Sequence, residues 1–162
     1  MAKGARTVPS AGSYARRVVA VNLTELPGWA SALLQNARIA RLGLLDQDDH
    51  PRVLPVTFAV VEGQIWSAVD DKPKTRAGDQ LARVRFLRRN PRAAFTVDHY
   101  SDDWSELAWV QILGEVSVVE AEDAPVALAS LESKYEQYRE SRPAGPLLAL
   151  APQRSLFWRA GG

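Results

Sequence analysis

The chain has 162 residues, of which 20 are Lys or Arg and 19 are Asp or Glu, so its formal net charge is +1 at pH 7. It contains no cysteine and a single methionine, Met1, which excludes disulfides, thiolate metal sites and cysteine nucleophiles and fits a reducing cytoplasm. Its longest apolar runs, such as residues 53–61, are interrupted by Pro55 and Thr57 and are far shorter than the roughly 20 residues of a membrane helix.

Residues 1–22 are predicted to form a flexible basic arm, and residues 23–162 a single domain. Lys3, Arg6 and Arg16 lie in the arm, and the apolar run that follows them is too short for a secretory signal. A disordered tail without a role is the alternative for this segment. A chain of this length buries about 70% of the surface that its unfolded form exposes, so its core is expected to be stable without disulfides or structural metal ions.

The first half of the domain is predicted to contain one helix and three strands. The helix starts at Pro27 and continues through GWASALLQNA, with Thr24 as a cap upstream. Strands follow at residues 38–45, 52–61 and 64–69, separated by the turn sequences DQDDHP and EG. This pattern is typical of a β-meander.

A second helix is predicted over residues 78–89. Leu81, Val84 and Leu87 recur there at a spacing of three, which gives the helix an apolar face. The sequence Asn90-Pro91 is expected to end it.

The rest of the chain is predicted to form strands at residues 93–99, 109–120 and 147–158 and a helix over residues 123–140. One face of that helix carries its apolar residues: Ala124, Ala127, Leu128, Leu131, Tyr135 and Tyr138. Six strands with two to three helices predict a mainly β, α+β fold built on an antiparallel six-stranded β-barrel.

Positive and negative charges are segregated along the chain. Residues 72–92 contain eight Lys or Arg against one acid, Asp79, whereas residues 93–133 contain nine acids and no Lys or Arg. The first of these segments is therefore predicted to face anions.

The sequence lacks the motifs of the common nucleophile, phosphate-loop and dinucleotide-binding enzymes, namely G-x-S-x-G, G-x-x-x-x-G-K-[ST] and G-x-G-x-x-G. The only two histidines, His50 and His99, lie in a predicted turn and at a predicted strand end rather than together on a helix, so no metal site is predicted. Asp102 and Asp103 are adjacent in a loop and are expected to stay solvated. If the chain is an enzyme, its reactive atoms are expected to belong to a cofactor.

Lys72 and Lys74 flank Pro73 in the loop after the third strand and are predicted to bind a phosphate. The proline restricts the backbone, and the N-terminus of the following helix adds partial positive charge. The arginines of that helix either continue the positive field or form ion pairs on a solvated face: Arg83, Arg85, Arg88, Arg89 and Arg92. Nucleic acid is the rival ligand, but the acidic stretch that follows would repel it, and no nucleic-acid partner is predicted.

Three blocks of the sequence carry a resemblance to a known family. They are ARIARLGLLDQDDHPRVLPVTFAVVEGQIWSAVDDKPK, LARVRFLRRNPRAAFTVDHYSDDWSELAWVQILGEVSVVE and YEQYRESRPAGPLLAL. Together they resemble the flavin/deazaflavin oxidoreductase family of split β-barrels, whose members are often labelled pyridoxamine-phosphate-oxidase-like. The similarity covers residues 26–158 and is greatest to the actinobacterial branch assigned to coenzyme F420.

The resemblance implies a split barrel of the FMN-binding type that forms a homodimer with a cofactor at each of two sites along the subunit interface. Residues 55–58 and 67–69 would line the flavin-like ring of the cofactor with backbone groups. Lys72 and Lys74 would hold its phosphate, and Trp109 and Gln111 would reach the cofactor of the neighbouring subunit. The cofactor-binding residues implied in this way are Pro55, Val56, Thr57, Phe58, Ser67, Ala68, Val69, Lys72, Pro73, Lys74, Arg83, Trp109 and Gln111. The substrate side is expected to contain His99, Tyr100 and Trp104.

Four positions depart from the family pattern. Asp71 stands where the family commonly has His, Gln111 where it has Arg and Phe86 where it has Asn, and the segment at residues 75–80 is longer than usual. Asp71 and Gln111 reduce the local positive charge, which is expected to weaken anion binding by a few kcal/mol where both sites are desolvated.

The sequence thus predicts a cytoplasmic F420-dependent oxidoreductase that transfers hydride between a deazaflavin and a small organic electrophile, without a catalytic side chain of its own. An FMN-dependent oxidoreductase of the same fold is the first alternative, because a single phosphate needs fewer cations than a polyanionic tail. A non-catalytic dimeric carrier of flavin, deazaflavin or haem is the second, and the departures at Asp71, Phe86 and Gln111 keep it open.

Overall fold

The computed structural model describes residues 18–20, 22–69 and 81–161. The strands of its sheet are β1 Val18–Ala20, β2 Ala40–Leu45, β3 Pro51–Val56, β4 Ala59–Val61, β5 Gln64–Ala68, β6 Arg92–His99, β7 Ala108–Val119 and β8 Leu147–Arg159. The α-helices are α1 Gly28–Asn36, α2 Ala82–Arg89, α3 Pro125–Lys134 and α4 Glu136–Glu140. Within the described ranges no helix has both the length and the apolar character that crossing a bilayer requires.

One antiparallel sheet contains all the strands, in the order β3-β2-β6-β7-β8-β5-β4, with β1 paired to the end of β8. The two edge strands, β3 and β4, are separated in the chain by only Thr57 and Phe58. Because successive Cα atoms are about 3.8 Å apart, Val56 and Ala59 lie within about 11 Å of each other, and the sheet must curl to bring its edges together. Among the described residues no ladder joins β3 to β4, so the curled sheet is open between them.

The sheet has eight strands, so the predicted number of six is wrong. The predicted strand 52–61 is divided, because the chain leaves one edge of the sheet after Val56 and joins the other edge at Ala59. The additional strand β1 comes from the segment that was expected to be a flexible arm, whose residues 1–17 lie outside the described residues.

The helix predicted over residues 123–140 is also divided. Tyr135 has an extended backbone, with φ −123° and ψ 115°, and separates α3 from α4. The helix predicted over residues 78–89 is described from Ala82 onward, and Val84 and Leu87 of its apolar face are fully buried.

The apolar core has two parts on the two faces of β5. Ile65 and Val69 belong to the first part, which fills the inside of the curled sheet and is covered by α1 and α2. Ala68 belongs to the second part, which lies beneath α3 and α4. This second part confirms the predicted apolar face of the last helical segment, because all six of its members are buried there: Ala124, Ala127, Leu128, Leu131, Tyr135 and Tyr138.

The longest ladder of the sheet, between β7 and β8, contains one irregularity. Leu113 lies opposite Arg154 and Gly114 opposite Pro152, so Gln153 is an extra residue on β8. A Cβ atom added to Gly114 would lie 2.0 Å from the carbonyl oxygen of Ala151, so this close approach of two backbones requires glycine.

Candidate functional site

A polar cluster forms where the chain passes from β3 to β4. The backbone N–H of Phe58 donates to the Tyr135 hydroxyl at 2.9 Å, and that hydroxyl lies 2.9 Å from the carbonyl oxygen of Phe58 and 2.8 Å from that of Arg38. The hydroxyls of Thr57 and Tyr138 are hydrogen-bonded at 2.5 Å. Burial raises the pKa of Tyr135, although the bond from Phe58 opposes that rise, so the phenol stays protonated and can donate. The two tyrosines therefore hold residues that the sheet leaves unpaired.

The end of β5 lies beside this cluster, and no described strand pairs with it along one edge. The ladder between β4 and β5 stops at the pair Ala59 and Trp66, so Ser67 and Ala68 run past β4 while their other edge pairs with β8. Ser67 is fully buried, and its hydroxyl has no hydrogen-bond partner among the described residues. We call the region between residues 56–58 and residues 67–69 the notch.

A second group of predicted residues lies on the outer face of the sheet, opposite the interior core. Pro55, Arg41, Thr96 and Gln111 form one row across β3, β2, β6 and β7. Within this row the amide nitrogen of Gln111 donates to the Thr96 hydroxyl at 3.1 Å. Trp109 lies two residues before Gln111 on the same face and is half-buried. Backbone alternation thus places Pro55, Gln111 and Trp109 on the same face of the sheet, with Pro55 three strands away from the other two.

The same outer face contains a groove of about 490 Å³. Gly43 lies between Val53 and Ala94 in the register, and with Leu113 these residues give the groove a shallow apolar floor. The Val53 side chain is 66% exposed. An apolar groove of this kind on a sheet face is typical of an interface or a ligand cleft.

The structure places the predicted site residues in four locations. Val56, Thr57, Phe58, Ser67, Ala68 and Val69 meet at the notch, and Pro55, Trp109 and Gln111 lie on the outer face. Arg83 is in the first turn of α2 and is partly buried. His99, Tyr100 and Trp104 lie at and after the end of β6 with exposed side chains, and the described residues form no pocket around them. The loop residues Lys72, Pro73 and Lys74 lie outside the described residues.

Two cations next to the notch were not foreseen from the sequence. The Lys134 ammonium lies 4.1 Å from the centroid of the Phe58 ring, and the Arg38 guanidinium lies 4.7 Å from the centroid of the Tyr135 ring. Burial and then the charge of Arg38 lower the pKa of Lys134 to about 8. In the sequence, Lys134 directly precedes Tyr135. Tyr135 and Tyr138 are predicted only to pack on the apolar face of their helix, so nothing there indicates a cation beside them.

The turn between β2 and β3 brings together Asp46, Asp48 and His50, whose ligand atoms lie within 4.8 Å of one another. One carboxylate oxygen of Asp46 already accepts the backbone N–H groups of Asp48 and His50, and the other lies 3.7 Å from Arg52. Burial opposes ionisation of Asp46, but these backbone hydrogen bonds outweigh it and lower its pKa. The hydrogen-bonding capacity of the Asp46 carboxylate is therefore used within the turn, and we assign this group of residues a structural role.

The chain is similar to a known protein family and to several solved structures. The profile of the pyridoxamine 5'-phosphate oxidase family matches residues 27–159. A solved structure of a conserved hypothetical protein from Mycobacterium tuberculosis is 19% identical with a TM-score of 0.65, over 79% of this chain and 81% of that one. A heme binding protein from Mycobacterium smegmatis is 19% identical with a TM-score of 0.65, over 82% of this chain and 52% of that one.

An F420 reductase is 16% identical with a TM-score of 0.61, over 80% of this chain and 98% of that one. No curated protein sequence matches the chain significantly. At these identities the solved structures establish a common fold, and their names describe those proteins alone.

Proposed function

The chain belongs to the pyridoxamine 5'-phosphate oxidase family, and from that premise we propose that it is an oxidoreductase that uses coenzyme F420 to transfer hydride to or from a small organic electrophile. The choice of F420 rests on the resemblance to the F420-assigned branch and on the density of cations in residues 72–92. The single structural observation that supports it best is the notch, where no described strand pairs with one edge of β5 and the buried Ser67 hydroxyl has no hydrogen-bond partner among the described residues.

The residues of the notch suit the polar edge of a flat heteroaromatic ring. Ser67 and Ala68 offer backbone groups on the side of β5 that β4 does not cover, and Ser67 adds its hydroxyl. A deazaflavin or flavin ring has alternating N–H and carbonyl groups along one edge, which could bond to these backbone groups and to the Ser67 hydroxyl. Lys72 and Lys74 follow β5 directly in the sequence, so the phosphate of the same molecule would be held next to its ring.

When bound, the deazaflavin supplies the hydride chemistry itself. The residues of this chain would bind it, exclude water and keep its orientation. Tyr135 and Tyr138 would contribute indirectly, since they fix the backbone of Phe58 and the side chain of Thr57 at the floor of the notch. A floor held by buried hydrogen bonds keeps its position when a ligand arrives, which favours binding and orientation.

The outer face of the sheet would be the interface of a homodimer. Its groove has an apolar floor at Gly43, Ala94 and Leu113 and leaves Val53 largely exposed, and a second copy would cover both. Trp109 and Gln111 lie on this face and would then reach the notch of the neighbouring subunit. Tyr100 and Trp104, which are exposed after β6, would be covered in the same dimer and would line the substrate side of the cofactor site.

A non-catalytic carrier of flavin, deazaflavin or haem is the second candidate, and two positions favour it. Gln111 has no charge, and its amide is already bonded to Thr96. Phe86 packs against the interior core and offers no polar group. An FMN-dependent enzyme is the third candidate, since the notch would accept either ring.

Binding of three ligands to the purified full chain separates these functions. Tryptophan fluorescence is followed while coenzyme F420, FMN or haem is added. The proposal expects saturable quenching by F420 that is tighter than quenching by FMN. Micromolar binding of FMN without a response to F420 would reverse that order, and binding of haem alone would favour the carrier.

A further inference from the structure

Two cations converge at the C-terminal end of α3, beside the notch. Nη1 of Arg38 donates to the carbonyl oxygen of Lys134 at 2.5 Å, which fixes the guanidinium next to the start of the Lys134 side chain. The ring of Tyr135 is 4.7 Å from the Arg38 guanidinium and 5.8 Å from the Lys134 ammonium. The two positive groups therefore share one aromatic ring, and the ammonium also contacts the ring of Phe58.

The nearby carboxylates do not neutralise this pair. Glu132 is bonded to Arg142 at 2.8 Å, and Glu136 lies 4.0 Å from Arg139. Within the described part of the chain, the groups found against the Lys134 ammonium are the rings of Phe58 and Tyr135 and the guanidinium of Arg38, none of which carries negative charge. Among the described residues neither Lys134 nor Arg38 forms an ion pair, in contrast to Arg41, Arg52 and Arg89.

An uncompensated pair of this kind is electrostatically unfavourable in the absence of an anion. Half-burial and the neighbouring guanidinium lower the pKa of Lys134 from 10.5 to about 8, so a substantial fraction of the ammonium is lost near that pH. An anion between the two groups would oppose both causes and raise the pKa again. Lys134 is half-buried and Arg38 is exposed, so the pair can be reached from solvent. A cation with a strongly lowered pKa beside a second cation and without an acid is a candidate for a site that receives a negatively charged ligand.

We propose that Arg38 and Lys134 form a carboxylate-binding subsite at the edge of the notch, and that the molecule reduced there carries a carboxylate. The second part rests on the proposed function, whereas the first depends only on the geometry of the two side chains. The planar fork of a guanidinium matches the two oxygens of a carboxylate, and Lys134 supplies a further donor. The rings of Tyr135 and Phe58 border the pair and favour an organic anion over inorganic phosphate.

Competitive labelling of lysine amines tests the subsite without any cofactor. The full chain contains four lysines, so reductive methylation can be followed at each of them by mass spectrometry. Benzoate is the probe, benzamide is its uncharged isostere, and inorganic phosphate is the second anion. Benzoate is expected to slow labelling of Lys134 at pH 8 by about fivefold, which corresponds to a rise of about one unit in its pKa. Benzamide is expected to have no effect, and phosphate a smaller effect than benzoate.

Two variants localise the effect. Arg38→Gln is expected to raise the pH midpoint of Lys134 labelling in buffer, because a repulsive charge is lost, and to remove most of the protection by benzoate. Arg159→Gln is the matched control, because Arg159 also lies over an aromatic ring, that of Trp29, but has no lysine beside it in the described structure. It is expected to leave the protection unchanged.

Equal protection by benzoate and benzamide, or no protection by either, would overturn the subsite on the unmodified chain alone. Stronger protection by phosphate would overturn its assignment to a carboxylate. Protection by benzoate in a chain that binds neither F420 nor FMN would overturn the assignment to a reduced substrate. Binding of F420 without protection by benzoate would overturn the subsite and leave the proposed function intact.

Discussion

The Tyr135 hydroxyl lies 2.9 Å from both the backbone nitrogen and the carbonyl oxygen of Phe58. Phe58 is fully buried and lies between two strands, so its peptide groups have neither a ladder partner nor water. A phenol from a residue 77 positions away replaces both. This contact fixes the connection between β3 and β4 at the point where the candidate site lies.

Removing this hydroxyl is expected to destabilise the fold. Tyr135→Phe leaves the buried N–H of Phe58 without its acceptor and removes the single proton that lies between the carbonyl oxygens of Phe58 and Arg38, which costs about 1–3 kcal/mol of unfolding free energy for each group left unsatisfied. Tyr138→Phe is the control, since its partner Thr57 is only partly buried and can bond to water. Urea denaturation of both variants checks the prediction, and equal losses would show that the Phe58 contact has no special weight.

The irregularity in the β7–β8 ladder gives a second prediction. Gly114→Ala places a Cβ atom 2.0 Å from the Ala151 carbonyl oxygen, so two central strands must separate, at a cost of about 3 kcal/mol. Gly43→Ala in β2 is the matched control, because its nearest contact would be 3.6 Å, an ordinary van der Waals distance. Thermal unfolding should therefore distinguish the two alanines clearly, and a Gly114→Ala protein as stable as Gly43→Ala would contradict the described register.

Stability should depend on pH through Lys134. Its pKa is lowered to about 8 in the folded chain, so the unfolded chain binds this proton more tightly, and the free energy of unfolding rises as the pH increases from about 8 toward 10.5. The rise is on the order of 1 kcal/mol after allowance for solvent screening of a half-exposed group.

Lys134→Met should remove that rise. Urea denaturation between about pH 7 and pH 9.5 measures it, below the range in which the raised pKa of Tyr135 begins to act in the opposite direction. A slope that persists in Lys134→Met would assign the pH dependence to another group.

The proposed dimer depends on the outer face of the sheet. Val53→Asp puts a charge on the groove and should weaken self-association at least tenfold, because a carboxylate would be desolvated there. Val126→Asp is the matched control, since Val126 on α3 is 58% exposed but lies away from this face. Sedimentation equilibrium compares the two, and equal association would locate the interface elsewhere.

Local periodicity accounts for the part of the fold that could be predicted. Leu128 and Leu131 follow one helical face, and Phe95 and Val97 alternate along one strand, and both patterns agree with the burial in the structure. The break at Thr57 and Phe58 could not be predicted, because it depends on Tyr135, which is far away in sequence and resembles the other apolar residues of the helix predicted over residues 123–140. The cations beside the notch could not be predicted for the same reason, because Arg38 and Lys134 come together only when α3 packs beside β4.

The most direct test of the proposed cofactor site is the affinity for coenzyme F420 of the chain in which Lys72 and Lys74 are both changed to Ala. Two charge-assisted contacts of about 1.5–3 kcal/mol each are lost, so the dissociation constant should rise by roughly a hundredfold or more. A chain with Arg142→Ala and Arg159→Ala loses the same charge elsewhere and should bind F420 as the unmodified protein does. Unchanged affinity in the Lys72 and Lys74 double variant would contradict the account, because the anionic part of the cofactor would then be bound by other residues.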